Sequence, residues 1–457
     1  MNKIIQQKLK KSQESSLKAL RLHPFYNGKI EITSKCYIKD FNDFAIWYTP
    51  GVAEPCRAIK KNRDAVFDNT NKGNTIAIIT DGTRVLGLGD IGPEACLPVM
   101  EGKALLFKFL GGVDAYPICL GTKNSDEIIN AVKWLQPSFS GINLEDIAAP
   151  KCFFILEKLR EESNIPVWHD DQQGTATITV AGLINALKIV GKKPAQIQVA
   201  FIGSGAANIS TSKLLVDIGV KLENMIFCDS KGILNSCRKD LEINKIDNPY
   251  KWNLCLTTNL SNKSGDMKHA IKDSDVIIAA SKPGPNTIRA EDIRGMANDA
   301  IVFALANPTP EIWPWDAKES GACIFASGRS DFPNQINNSL VFPGMFRGVL
   351  DVRARYITDE MCLSAAFELA RIGEENGIHE EYLVPKMDDC NVFIREAVAV
   401  GLKAMDQGVS EIKISWGELA DKSRSIIDKA RNETFMLMKK GFIAPPPNID
   451  FSGGLKT

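Results

Sequence analysis

Along most of this chain, short apolar runs alternate with segments whose apolar residues recur at i, i+3, i+4 and i+7. The first pattern reads as strand, the second as helix packed by one face. In order, strand Thr75–Thr80 precedes helix Glu94–Leu110, strand Ala115–Leu120 precedes helix Ser125–Gln136, and strand Gly141–Ile147 precedes helix Lys151–Ser163. The run ending Val167-Trp168-His169 then precedes helix Thr175–Val190. A second series starts with a strand from Ile197 and a helix to Ile218. Strands Met225–Cys228, Val276–Ala280, Ile301–Leu305 and Cys323–Ala326 follow, each running into a turn that contains Gly, Pro or Asn. Such alternation predicts an α/β protein with parallel, doubly wound sheets. Residues 1 to about 46 read as an amphipathic helical arm followed by irregular chain. Gln335 opens a helical carboxyl-terminal region, and Pro445 to Thr457 read as a frayed tail.

At 457 residues the chain is too long for one core. The patterns divide it into an arm (1–46), a first α/β domain (47–170), a second (171–337) and a helical region packing on both (338–457). An arm of this kind packs either on a partner subunit or on its own domain. Lys+Arg and Asp+Glu both number 55, which gives no polyanion-binding surplus and no reason to expect a nucleic-acid partner. The 11 cysteines are scattered without a Cys-x-x-Cys pair, so a reducing, cytoplasmic setting is expected rather than a disulfide framework or zinc site. The longest apolar runs are far short of the roughly 20 residues that span a bilayer, so no membrane role is expected.

Candidate chemistry gathers at the ends of the strands. Asp170 and Asp171 follow a strand directly, as do Glu145 and Asp146. Adjacent strand residues point to opposite faces, so Glu145 and Asp146 can serve one ion only if the chain is already turning there; Ala148-Ala149-Pro150 suggests it is. A solvated acidic turn is the plainer reading. Lys103 stands within the stripe of Val99, Met100, Leu106, Phe107 and Leu110. Burial would depress its pKa and make it a general base; otherwise it is a lysine snorkelling from an apolar stem. Arg84, in the glycine-rich stretch Asp81–Pro93, is either a carboxylate clamp or a surface residue. Tyr48 flanks the Thr49-Pro50-Gly51 turn as a possible reactant or a packed loop base.

The nucleotide signal is clearer. A strand, Gly203-Ser204-Gly205 and a helix place a pyrophosphate on the helix amino terminus, and the next strand ends in Asp229, at the distance of a ribose partner. This makes 171–337 a Rossmann-type dinucleotide domain. Asn208 stands where the fingerprint has Gly or Ala, which would alter how the pyrophosphate is held.

Together these stretches resemble the malic enzyme family. The resemblance is carried by Tyr48-Thr-Pro-Gly-Val-Ala53, Asp81-Gly-Thr-Arg-Val-Leu-Gly-Leu-Gly-Asp90, Glu101-Gly-Lys-Ala-Leu-Leu106, Asn143-Leu-Glu-Asp146 and His169-Asp-Asp-Gln-Gln-Gly-Thr-Ala176. Gly203-x-Gly205, Asp229-Ser-Lys-Gly232, Asn307-Pro308 and Asn337-Asn-x-x-x-Phe-Pro-Gly344 complete it, over about residues 45 to 400. It implies oxidative decarboxylation of L-malate to pyruvate and CO₂ with NAD(P)⁺ and Mg²⁺ or Mn²⁺. By resemblance Lys103 is the general base and Tyr48 the acid that protonates the enol carbon. Glu145, Asp146 and Asp171 are the metal ligands, the first two in a substrate and metal domain spanning 47–170 and the third at the start of the dinucleotide domain. Asp170 partners the lysine, and Arg84, Asn307 and Asn338 contact substrate or nicotinamide. Coenzyme binding falls to Gly203, Ser204, Gly205, Ala206, Ala207, Asp229, Ser230, Lys231, Ser281 and Asn307. Asp229-Ser-Lys-Gly resembles the NADP-using relatives, with NAD the alternative, and a homodimer is the expected assembly. The alternatives are a malolactic-type enzyme, a 2-hydroxy acid dehydrogenase that does not decarboxylate, and a non-catalytic dinucleotide sensor.

Overall fold

The computed structural model describes residues 3–448; the end of the expected tail, 449–457, lies outside them. Two parallel sheets organise the chain. The first has the order β2-β1-β3-β4, with β1 Thr75–Thr80, β2 Asp114–Cys119, β3 Gly141–Leu144 and β4 Val167–His169. The second has the order β10-β9-β8-β5-β6-β7, with β5 Val199–Ile202, β6 Met225–Asp229, β7 Gly232–Ile233, β8 Val276–Ala279, β9 Ala300–Ala304 and β10 Ala322–Ser327. Only the short β7 runs antiparallel, against β6. The expected strand at Gly141–Ile147 stops at Leu144, because Asp146 takes a positive φ of 53° and turns the chain. The second sheet is covered on both faces. Val199 and Phe201 point into the large core, while Ala200 and Ile202 point into a second apolar cluster.

Each sheet has a switch point where its connections leave in opposite directions. In the first it lies between β1 and β3, in the second between β5 and β8. Such crevices, at the carboxyl ends of strands, are where open α/β sheets receive ligands.

One apolar core runs through the first sheet, helix Thr175–Val190 and the carboxyl-terminal helices. That helix is apolar nearly all round and follows β4 through a single π-turn, Asp170–Gly174. Asn185 in its middle donates to the carbonyls of Ala370 (2.8 Å) and Leu383 (2.7 Å), stitching it to the carboxyl-terminal region. On the other side, Arg347 pairs with Asp351 inside the core and donates to Asn74, just ahead of β1 (2.6 Å). The carboxyl-terminal helices therefore pack against both halves. The arm consists of helix Lys3–Tyr26 and a mostly irregular stretch, held by Lys29 N–H to Glu101 (3.1 Å) and Tyr26 hydroxyl to the Ala444 carbonyl (2.8 Å). Among the described residues, no helix is long and apolar enough to cross a membrane.

Candidate active site

Helix Pro93–Gly111 opens with Pro in its first turn and closes at Gly112, whose φ of 63° suits glycine. Its buried face is Cys96, Met100, Lys103, Phe107 and Leu110, so the lysine lies within the core stripe. The ends of β3 and β4 face it. Lys103 Nζ lies 2.9 Å from Glu145 Oε2, forms a close ion pair with Asp170 Oδ2, and sits 4.1 Å above the Phe342 ring. Lys103 is 7% exposed and Asp170 fully buried, so water screens this pair little.

The expected depression of the Lys103 pKa is not found. Burial does oppose the ammonium, but the Asp170 and Glu145 carboxylates outweigh it and hold the lysine above its ordinary value. The helix pattern showed the burial but not the two acids opposite.

Asp170 is placed from several sides. The Trp168 indole, in β4 two residues back, donates to its Oδ1 at 3.0 Å. Gly174, one turn on, is required for space: a Cβ there would overlap Asp170 Oδ1 and stand 3.2 Å from Asn338 Cβ. Asn338 thus lies against this turn, while Asn337 caps the short helix that follows by accepting from Ser339 N–H (2.9 Å).

Asp171 turns the other way. One oxygen from each of Glu145, Asp146 and Asp171 lies within 4.8 Å of the others, the one such group among the described residues. Asp146 N–H donates to Asp171 Oδ2 at 2.8 Å, joining the ends of β3 and β4. Burial, then the neighbouring Asp171 charge, pushes Asp146 up to about 8; burial and Asp170 push Asp171 up to about 6, and burial holds Glu145 well above the carboxylate range. Buried acids that repel one another are stable together only when protonated or gathered round a cation. Asp146 Oδ2 has no hydrogen-bond partner among the described residues. An all-oxygen donor set with a free lone pair suits a hard divalent ion such as Mg²⁺ or Mn²⁺. His169, fully buried and 3.8 Å from Asp171, stays neutral, since burial lowers its pKa to about 3.

The glycine-rich loop after β1 covers this cluster. Asp81 accepts from Thr83 N–H (3.1 Å) and hydroxyl (2.6 Å) and pairs closely with Lys151. Arg84 N–H donates to the Asp146 carbonyl at 2.9 Å, and the guanidinium, although exposed, is near enough to favour ionised Asp171. A Cβ on Gly87 would meet the Asn307 carbonyl at 2.6 Å and Pro283 at 2.7 Å. The loop tip therefore touches the turns that follow β8 and β9, bringing the carboxyl ends of the two sheets together.

On the second sheet, Gly203 has φ of 100°, and a Cβ there would run into the Ala280 carbonyl at 2.7 Å. Ser204 and Gly205 follow, and helix Ala206–Asp217 starts without a side-chain cap, so no capping side chain claims the N–H groups of its first turn, at Ala206 and Ala207. Asn208 does not face a pyrophosphate: it is buried, donating to the carbonyls of Ile202 (3.1 Å) and Gly203 (2.9 Å) and bracing the turn from behind. Ser281 and Asn307 stand at the ends of β8 and β9. Asp229 is already engaged, contrary to the simple ribose reading. Its carboxylate meets Arg238 at 3.2 Å through both oxygens, Lys251 through Oδ2 and Lys231 N–H at 2.9 Å. Ser230 and Lys231 form the tight turn between β6 and β7.

Tyr48 is not brought to Lys103. Its side chain is 71% exposed, in an arm where Ile32, Tyr37, Phe41, Ile46 and Trp47 are exposed as well. Sequence patterns also passed over Trp168, Lys151, Lys251, Gly174 and Glu311. Of these only Trp168, spaced two from Asp170 on a strand, carried a local signal.

The chain matches known proteins over most of its length. The family model "Malic enzyme, N-terminal domain" matches residues 27–160, and "Malic enzyme, NAD binding domain" matches 172–405. The chain is 49% identical over 408 residues to a Bacillus subtilis protein named bifunctional malic/malolactic enzyme, covering 89% of this chain and 97% of that one. It is 49% identical over 383 residues to the NAD-dependent malic enzyme of Geobacillus stearothermophilus (84% and 78%). It is 41% identical to the NADP-dependent malic enzyme of Haemophilus influenzae, covering 90% of this chain but 55% of that longer protein. The crystal structure of Entamoeba histolytica malic enzyme superposes with a TM-score of 0.93 at 42% identity, covering 98% of this chain and 93% of that one.

Proposed function

The chain belongs to the malic enzyme family, and from that premise we propose how its residues divide the oxidative decarboxylation of L-malate to pyruvate and CO₂ that it catalyses with NAD or NADP. The observation that carries the reading is the buried Lys103–Asp170 pair set directly beside the Glu145, Asp146 and Asp171 carboxylates.

Glu145, Asp146 and Asp171 would hold a divalent metal. When bound, the ion would supply Lewis acidity to the malate C2 oxygen, and its charge would engage Glu145 and disfavour the Lys103 ammonium. Lys103 Nζ takes the C2 hydroxyl proton, with Asp170 as the carboxylate through which the lysine is discharged and reset. Arg84 and Asn338 orient the substrate carboxylates, and Asn307 faces the reacting carbons. With coenzyme bound, the C2 hydride would pass to its nicotinamide. The C3–C4 bond then breaks, CO₂ leaves with its carbon, and the bonding electrons pass into the enolate. The Tyr48 hydroxyl returns a proton to C3. An exposed tyrosine in an exposed apolar arm fits a homodimer in which this step is performed by Tyr48 of the partner subunit.

The coenzyme is NADP. Three cations, Lys231, Arg238 and Lys251, surround two carboxylates, Asp229 and Asp240. Asp229 is neutralised where NAD would require a free acceptor for its 2′-hydroxyl, and the surplus positive charge suits a 2′-phosphate. The test is L-malate oxidation with Mn²⁺ and each coenzyme, following NAD(P)H, pyruvate and CO₂. All three products should form in equal amounts, with the higher kcat/KM for NADP. Lys251→Met should lower the NADP value by about tenfold and leave NAD within about twofold. A wild-type preference for NAD contradicts the coenzyme assignment, and lactate without NAD(P)H contradicts the oxidative reading.

A further inference from the structure

Glu311 is fully buried, and among the described residues no cation pairs with it. Its carboxylate is satisfied by the chain itself. Oε1 accepts from Ser281 N–H (2.8 Å) and from the Ser281 hydroxyl (3.1 Å); Oε2 accepts from Ala306 N–H (3.1 Å). Ser281 and Ala306 lie just beyond the carboxyl ends of β8 and β9, where the ladder no longer supplies acceptors. One side chain therefore clasps two neighbouring strand ends. It also commits the Ser281 hydroxyl proton, so the serine oxygen is left to accept hydrogen bonds from the cleft. Asn307 follows Ala306 directly, and its carbonyl faces the tip of the glycine-rich loop at Gly87.

We infer that Glu311 is a positioning residue for hydride transfer, setting Ser281 and Asn307 in one geometry against the nicotinamide end of the coenzyme without touching it. The inference rests on the reading that Ser281 and Asn307 meet the coenzyme there. Three donors on one carboxyl group favour its ionised form. Burial pushes Glu311 up to about 7 against those donors, so the clasp is held close to its own titration.

Glu311→Gln keeps the shape but presents a donor to one of the N–H groups. With the holoenzyme assayed in Mn²⁺, KM for the coenzyme should rise about tenfold and kcat should fall, as expected for misplaced reacting groups. KM for malate at saturating coenzyme and the Mn²⁺ half-saturation should stay within about twofold. The isotope effect with 2-deuterated malate should increase as hydride transfer becomes slower. Ser281→Ala and Asn307→Ala are measured in parallel. If neither shifts coenzyme KM, the reading of those two residues is wrong. If they shift it and Glu311→Gln does not, Glu311 is not their positioner. The double variant Glu311→Gln/Ser281→Ala should lose no more than the worse single one, whereas additive losses overturn the inference. If Glu311→Gln does not fold, Glu311→Asp, which keeps the charge but shortens the reach, must show the same selective rise; an equal loss for malate and metal overturns the inference.

Discussion

Lys103→Ala should lower kcat on the order of 10³-fold while the protein still folds and still binds coenzyme, because a positioned proton acceptor contributes that much. Tyr48→Phe should lose on the order of 10²-fold at the donor step. The geometry makes their combination more informative than either alone. Lys103 is 7% exposed and Tyr48 71% exposed in the same chain, the contrast expected when Tyr48 completes the site of a partner subunit. If a site takes its lysine from one subunit and its tyrosine from the other, mixing the two inactive proteins restores function. Random reassortment makes half the dimers mixed, each with one intact site, so about a quarter of wild-type activity should return. Mixtures that stay inactive after verified subunit exchange would place both residues in one subunit.

Gly174→Ala should lose at least about 100-fold in kcat with the fold intact. The backbone at Gly174 is ordinary helix, so alanine is welcome there on propensity. The penalty falls on Asp170, whose Oδ1 occupies the space the new Cβ needs, with Asn338 closing the other side. To make room, Asp170 must leave the Trp168 indole and Lys103. The check is kcat alongside thermal unfolding. A variant that retains activity would show that the Asp170–Lys103 contact is not needed for turnover.

The strand–helix alternation made both sheets legible, because parallel strands buried on two faces write continuous apolar runs. The lysine in its apolar stripe and the turn that brings Glu145 and Asp146 together were legible for the same reason: they are properties of single elements. What depends on two elements meeting was not. Lys103 alone suggested a depressed pKa; opposite Asp170 and Glu145 it is raised. Asp229 suggested a ribose acceptor with the cations Lys231, Arg238 and Lys239 nearby; that Arg238 would close on its carboxylate, joined by Lys251 from farther along the chain, was not legible. Asn208 suggested a ligand-facing departure and proved to brace the turn from inside. Glu311, in a proline-rich turn, gave no sign that it would join two strand ends.

The central claim is that adjacent acids in one π-turn have separate tasks, Asp171 for the metal and Asp170 for the lysine. Mn²⁺ binding to protein free of malate and coenzyme, measured by the electron paramagnetic resonance of the unbound ion, tests it most directly. Asp171→Asn should weaken binding at least about 100-fold, and Asp170→Asn should leave it within about threefold of wild type. Equal weakening in the two variants would contradict the division of labour.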